Sequence, residues 1–350
     1  MSGAPAASRN NNFDALRLLA AISVIFSHAF LIAQGTQDHE PLIWLTSRQA
    51  IFGLAGVFVF FAISGYLVTQ SWENTASAPR YLLKRCLRIF PGLVVALIVS
   101  AFVLAPLVTK LSLADYLARP EPYRYVVSNA ALSVKAHTLP GVVFVDNPVG
   151  LEINGSLWTL RYEFMMYLMV MALGITRLLN LWMCLALLAL GMACVGLPAT
   201  FMFGGWGWML SFFAVGMALY KLRKTRIFDF RIALAALALL VASIFTRGFI
   251  LLFPLTGCYL ALWLALHPRI PPLRAARWGD LSYGLYIYGW PSSQFVIWLK
   301  GGHAPWWQVF GGGLAIAGAL AFASWHLIEG PALRLKPRPR PVPALAAGTD

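Results

Sequence analysis

The first apolar stretch of the chain contains three ionisable residues that could do chemistry: Asp14, Arg17 and His28. Inserting a charged residue into a bilayer costs about 2.5–3.5 kcal/mol, so each of these residues is a candidate functional group. Arg17 and His28 are 11 residues apart, which places them about 20° apart around a helix and about 16 Å apart along it. One helix face would therefore carry a cation near one end and a proton acceptor near the other.

A carboxylate, Glu163, lies about six residues into a later apolar stretch, and His28 lies about five residues from the end of its own. The two side chains are therefore expected at matching depths. A carboxylate beside an imidazole can orient the ring and stabilise its protonated form, as in the histidine–acid pairs of acyl transfer. The alternative is structural, with His28 a neutral core histidine and Glu163 a partner in a packing ion pair.

Two arginines, Arg85 and Arg88, precede Ile-Phe-Pro91 and share one helical face at the mouth of a third apolar stretch. Guanidinium groups can bind the phosphates of an anionic ligand through paired hydrogen bonds. Basic residues at such a position more commonly form a loop that sets the orientation of a membrane protein, and the sequence by itself favours that interpretation.

The composition requires that a membrane surround these residues. Of 350 residues, 59% are hydrophobic and 11% are charged, against roughly 45–50% and about 25% in soluble domains. Apolar stretches of helix length predict an all-α polytopic bundle. Ten spans are expected, near 13–33, 50–70, 89–108, 157–176, 180–197, 203–220, 231–246, 248–267, 281–299 and 308–328.

Charge sets the expected orientation. The net charge of +14 is explained by basic cytoplasmic loops, so no nucleic-acid partner is expected. Separate spans at 231–246 and 248–267 keep the last basic clusters in the cytoplasm. Both termini are then cytoplasmic, with a segment 1–12, a transmembrane domain 13–334 and a Pro-rich tail 335–350. Within the domain, 109–156 is expected to be a long outer loop.

The four cysteines show neither a disulfide framework nor metal-ligand spacing. Three of them lie in apolar spans, and Cys86 is expected in a basic loop. No metal is expected.

A set of short motifs, in order from the first span to the last, resembles the acyltransferase 3 family of integral membrane O-acyltransferases. The set consists of Arg17 with His28, Phe60-Phe-Ala-Ile-Ser64-Gly-Tyr-Leu, Arg85-x-x-Arg88, Asn154-Gly-Ser156-Leu-Trp158-Thr-Leu-x-x-Glu163, Phe213-x-x-Gly216-x-x-Leu-Tyr220, Ser282-Tyr283-Gly-Leu-Tyr286 and Ile328-Glu329-x-Pro331. One motif departs from the pattern, because Gly289-Trp-Pro291 stands where many members carry a histidine.

The resemblance implies an acyl-CoA donor, usually acetyl-CoA, and a hydroxyl acceptor on a carbohydrate or other surface molecule. It implies an enzyme of the bacterial cytoplasmic (inner) membrane. The roles it implies are catalysis by His28 and Glu163 and, at the family's basic positions, donor binding by Arg17, Arg85 and Arg88. Further candidates, for acceptor contact or structural support, are Asp14, Asn154, Ser156, Trp158, Tyr283, Tyr286 and Glu329. The oligomeric state and the acyl chain length stay open.

Two alternatives fit the same residues. A proton-coupled transporter of a surface-polymer precursor could use His28, Glu163 and Arg17 as a relay. The paired halves with broken helices that are common in transporters are not visible in the sequence. An O-acyltransferase of a small hydrophobic molecule would differ from the leading interpretation in its acceptor.

Overall fold

The computed structural model describes residues 11–75, 77–133, 138–141, 143–195, 206–273 and 275–336, and within these ranges it contains helices and no strand. The first ten residues and the predicted tail beyond Lys336 lie outside the described part. The helices are α1 (Phe13–Gln34), α2 (Pro41–Leu45), α3 (Phe52–Thr75), α4 (Ala78–Val108), α5 (Leu113–Leu117), α6 (Glu121–Ala130), α7 (Trp158–Ile175), α8 (Leu181–Ala193), α9 (Trp206–Lys221), α10 (Phe230–Phe245), α11 (Phe249–Leu266), α12 (Ser282–Leu299) and α13 (Trp306–Arg334).

Five of these helices are long and apolar enough to cross a membrane: α1, α3, α4, α11 and α13. Two shorter apolar helices, α8 and α10, lie where further spans were predicted, and α7, α9 and α12 lie at the other predicted places. An all-helical membrane protein is therefore confirmed. The total of ten spans and the cytoplasmic location of the termini stay predictions.

The predicted basic loop before the third span is wrong. Helix α4 begins at Ala78, so Cys86, Arg85 and Arg88 all lie on the helix. A proline in the first turn, whose backbone has no N–H to leave unpaired, favours this early start. The apolar stretch predicted from 89 onward is thus the continuation of a helix whose first turns are basic.

Helices α3 and α9 cross closely because each has a glycine at the contact. A Cβ on Gly65 would lie 2.0 Å from the carbonyl oxygen of Phe213, and one on Gly216 would lie 2.0 Å from that of Ala62. Small residues allow this approach of helices in a membrane. The Phe213-x-x-Gly216 motif is therefore explained by packing.

Helix α1 lies against α3 and runs in the opposite direction. Gly53 near the start of α3 packs on Ser27, and the ring of Tyr66 near its end lies 5.4 Å from that of Phe13. These contacts define two ends of the bundle, named here the Arg17 end and the His28 end. Helix α12 runs parallel to α1, since Gly289 packs on Ile25 and the Trp290 ring contacts His28.

The last part of the predicted outer loop turns back into the bundle along α12. The Asn147 amide donates to Gln294 O at 3.0 Å and to its Oε1 at 2.8 Å, and the Asn154 amide donates to Ile287 O at 2.7 Å. Gln294 and Ile287 are about 10 Å apart along the helix at 1.5 Å per residue. Non-helical backbone at such depth requires protein partners. Residues 144–157, named here the re-entrant segment, therefore pack along α12. That 109–156 forms an outer loop stays a prediction.

Candidate active site

A cavity of about 1580 Å³ opens among α1, α3, α4, α7, α12 and the segment that precedes α12. Its lining begins at the Arg17 end, where it includes Thr75, Lys84 and Lys336. It reaches Val57 and Tyr286 about halfway through the bundle. The cavity is thus a deep pocket, and basic side chains line it at the Arg17 end.

The three arginines expected to bind a donor all line this cavity. Arg17 comes from α1, and Arg85 and Arg88 come from successive turns of α4. Helical spacing of three residues places the α4 pair on one side of the helix. Asp14, one turn before Arg17, lines the same cavity.

Asp280, which was not among the predicted site residues, binds two of these arginines. Its Oδ2 accepts from Arg88 Nη2 at 2.7 Å and lies 3.8 Å from Arg17 Nη1. The Ser282 hydroxyl donates to its Oδ1 at 2.5 Å. Burial raises the pKa of Asp280, but the charges of Arg88 and Arg17 and the bond from Ser282 outweigh it and lower that pKa below the usual range. An acidic residue two positions before Ser282-Tyr-Gly-Leu-Tyr was the available signal.

Arg85 has different surroundings. Its guanidinium lies 5.9 Å from the Tyr81 ring centre and 5.5 Å from that of Tyr167, distances at which a cation is attracted to the ring face. It donates to Ser71 Oγ at 3.4 Å, and its buried Nε has no hydrogen-bond partner. Within the described ranges no carboxylate pairs with Arg85, so its charge is directed at the cavity.

Glu163 lines the cavity and is held by donors on two helices. Its Oε1 accepts from Ser64 Oγ at 3.2 Å and from the Tyr167 hydroxyl. Ser64 is about 16 Å along α3 from Gly53, the residue that packs on Ser27. Glu163 therefore lies at the depth of the arginines, and the predicted match with His28 is wrong. The re-entrant segment explains the error, because it makes α7 begin inside the bundle.

His28 lies outside the cavity lining, next to Trp290. The two ring centres are 4.8 Å apart in an edge contact, and the Trp290 indole donates to Glu152 O at 3.1 Å. His28 Nδ1 is buried without a hydrogen-bond partner, and the described residues show no hydrogen bond between His28 and Glu163. The structure thus brings Glu163 and the arginines together and places His28 farther along the bundle.

Several motif residues make structural contacts between α12 and the chain around it. The Asn154 side chain bonds Ile287 O and accepts from Ser156 N at 3.1 Å. The Tyr286 hydroxyl donates to Ser156 O at 2.8 Å and lies 2.5 Å from Thr159 Oγ1. These bonds satisfy the Asn154 side chain and the Ser156 carbonyl inside the bundle, where water is scarce. Asn147 Oδ1 and Ser156 Oγ are buried there without a hydrogen-bond partner.

The other motif residues differ in their surroundings. The Tyr283 hydroxyl donates to Ile89 O at 2.8 Å. Glu329 is buried in a π-helical turn of α13 and accepts from Ser324 Oγ at 2.9 Å. Trp158 is 36% exposed and contacts the Tyr162 ring edge-on. Of these three residues, Tyr283 lines the cavity.

The arrangement suits an elongated ligand with an anionic group at one end. Guanidinium groups at the Arg17 end can bind phosphates. At the far end the lining reaches Tyr286, about one helical turn from Trp290, whose ring contacts His28. Across the described ranges, no group of three His, Cys, Asp or Glu side chains could hold a metal ion.

Comparisons with known proteins bear on this arrangement. The chain matches the model of the acyltransferase 3 family, described as an acyltransferase domain, over residues 10–324. It is 28% identical to an O-acetyl transferase of Shigella phage Sf6, over 83% of this chain and 86% of the relative. It is 30% identical to Nodulation protein 10 of Rhizobium leguminosarum bv. viciae, over 93% of this chain and 94% of the relative. No solved structure matches significantly.

Proposed function

The chain belongs to the acyltransferase 3 family and is a membrane O-acyltransferase, and we propose that it transfers an acyl group from cytoplasmic acyl-CoA to a hydroxyl on the other side of the membrane. The acyl group is acetyl, as the name of the phage relative suggests. The acceptor is a cell-surface polysaccharide or its lipid-linked precursor, and the membrane is the bacterial inner membrane.

The observation that carries this proposal is the convergence of Arg17, Arg85 and Arg88 on one deep cavity. Coenzyme A has phosphates at one end and a thiol at the other, so a cationic mouth and a long cavity fit it. Arg85 has no acidic partner in the described ranges and is free to bind a phosphate. Asp280 holds Arg88 and Arg17 in position beside it.

The Arg17 end faces the cytoplasm in this proposal. Basic residues at this end include Lys84, Lys221, Arg223 and Lys336, in keeping with the positive-inside rule. The pantetheine arm then extends from the arginines toward Tyr286 at the inner end of the cavity. Tyr286 is about one helical turn, or about 6 Å, from Trp290, so the thioester comes within reach of His28.

His28 acts as the general base, because a neutral imidazole can accept a proton from a hydroxyl. The acceptor hydroxyl approaches from the His28 end, and its oxygen forms a bond to the acyl carbon. The carbon–sulfur bond breaks, and the hydroxyl proton passes through His28 to the coenzyme A thiolate. Glu163 acts on the donor side, where it orients Tyr167 beside Arg85.

A transfer assay with purified protein tests the proposal. Wild-type protein in lipid nanodiscs receives acetyl-CoA labelled in the acetyl group and a crude surface-polysaccharide acceptor. Ester-linked label in the polymer is the expected result. A protein that moves polymer precursor across proteoliposome membranes yet never transfers label from any acyl-CoA would support the transporter interpretation and contradict the proposal.

A further inference from the structure

The cavity lining changes in character along α3. At the Arg17 end, α3 contributes Gln70, Ser71, Asn74 and Thr75, all of them polar. At the other end it contributes Val57, Phe60 and Phe61. Thr75 and Phe60 are about 22 Å apart along the helix. A ligand that fills the cavity therefore meets polar groups with its outer part and an aromatic wall with its tip.

Phe60 and Tyr286 form this wall from opposite helices. Their ring centres are 6.0 Å apart in an edge contact. The Tyr286 hydroxyl is fixed by Thr159 Oγ1 at 2.5 Å and Ser156 O at 2.8 Å. These two bonds to the chain around the start of α7 hold the Tyr286 ring in place, and Phe60 packs against that ring.

We propose that Phe60 and Tyr286 restrict the donor to a short acyl group, an inference that rests on the proposed function. The acyl group is the tip of the donor, so it meets the wall first. Each added methylene keeps the thioester carbon farther from His28, which lies about one turn beyond Tyr286. A displacement of about 1 Å can cost about 100-fold in rate. Discrimination against longer chains therefore falls on kcat more than on KM.

The test compares kcat and KM for acetyl-, propionyl- and butyryl-CoA among four proteins. Phe60→Ala removes the wall on one side, and the butyryl-to-acetyl ratio of kcat should rise at least about tenfold, the lower range for one methylene in a pocket. Phe60→Trp should lower the propionyl-to-acetyl ratio. Leu67→Ala is the matched control, because Leu67 lines the cavity two turns nearer the Arg17 end, and its ratios should equal those of wild type.

The outcomes separate the two proposals. If wild type transfers acetyl and the variants Phe60→Ala, Phe60→Trp and Leu67→Ala all keep its chain-length ratio, the role of the wall is contradicted. The proposed function is not contradicted by that result. Absence of transfer from every acyl-CoA in wild type would contradict the proposed function. If Phe60→Ala does not yield folded protein, Phe60→Leu and Phe60→Trp decide, because each keeps an apolar side chain at the position.

Discussion

The Arg17 end and the His28 end of the bundle are held together by different interactions. At the Arg17 end, Asp280 binds Arg88 and Arg17, and Glu73 binds Lys221 and Arg223. At the His28 end, Asn147, Asn154 and Gln294 bind backbone carbonyls through neutral amides. One helix, α12, takes part in both, since Asp280 precedes its first turn and Gln294 lies near its last.

This difference suggests which ligand each end receives. Paired charges keep guanidinium groups in fixed positions beside the cavity, and such groups bind anions. Neutral amides hold the re-entrant segment without adding charge beside His28, whose imidazole can then accept a proton from a neutral hydroxyl. The first three predictions test this division, and the last asks whether Glu163 belongs to the donor side or to His28.

The largest effect is expected at the His28 end. His28→Ala should lower kcat for acyl transfer by about 10²–10⁴-fold, the usual contribution of a positioned base. Donor affinity should stay within about twofold of wild type, because His28 lies outside the cavity lining and far from the arginines. Transfer of labelled acetate and equilibrium binding of acetyl-CoA measure the two quantities.

His39, a histidine of the segment that follows α1, offers a matched control for loss of an imidazole. His39→Ala should transfer acetate at the wild-type rate. Transfer at the wild-type rate by His28→Ala would rule out His28 as the base.

A smaller effect, on binding, is expected at the Arg17 end. Arg88→Ala should weaken acetyl-CoA binding by about 10- to 100-fold, since hydrogen bonds to charged groups contribute about 1.5–3 kcal/mol each. Arg88→Lys should recover part of the loss, because an ammonium keeps the charge beside Asp280 but lacks the planar fork of donors. Isothermal titration on folded protein measures the dissociation constants.

Arg80 is the control for removal of a positive charge from α4, because it lies on the same helix, is exposed and does not line the cavity. Arg80→Ala should bind donor as wild type does. Equal acetyl-CoA affinities for Arg80→Ala and Arg88→Ala would contradict donor binding by Arg88 and would favour a role of the α4 arginines in membrane orientation.

A third prediction concerns the re-entrant segment. Asn154→Ala removes the bonds to Ile287 O and Ser156 N, so it should destabilise the protein by about 1–3 kcal/mol. A lower midpoint of thermal unfolding in detergent would show the loss, with donor affinity unchanged. An unchanged midpoint would mean that the segment is not anchored by this amide.

The helices could be predicted from sequence because apolar periodicity and length report on them directly. Helical spacing placed Arg85 and Arg88 on one face, whereas their convergence with Arg17 was implied by the resemblance to the family. Depth could not be predicted for Glu163, because the eight or so residues before α7 are not helical and periodicity assigns no depth to them. Asp280 was missed for a related reason, since a carboxylate just outside an apolar stretch looks like any loop residue.

The smallest effect is expected from Glu163→Gln, and it decides which end of the bundle Glu163 serves. The Gln carbonyl oxygen can still accept from Ser64 Oγ and Tyr167, so the cavity wall should persist and kcat should fall by less than about tenfold, well below the loss expected for a base. The ascending limb of the pH–rate profile should not move, because the described residues show no hydrogen bond between Glu163 and His28.

If Glu163 oriented the imidazole, the neutral variant would lose activity almost as severely as His28→Ala, and the double variant would lose no more than either, since residues that act as a unit are not additive. That result would require α1 and α7 to bring His28 and Glu163 together during turnover. If instead the losses of the two single variants add in the double variant, Glu163 acts on the donor side.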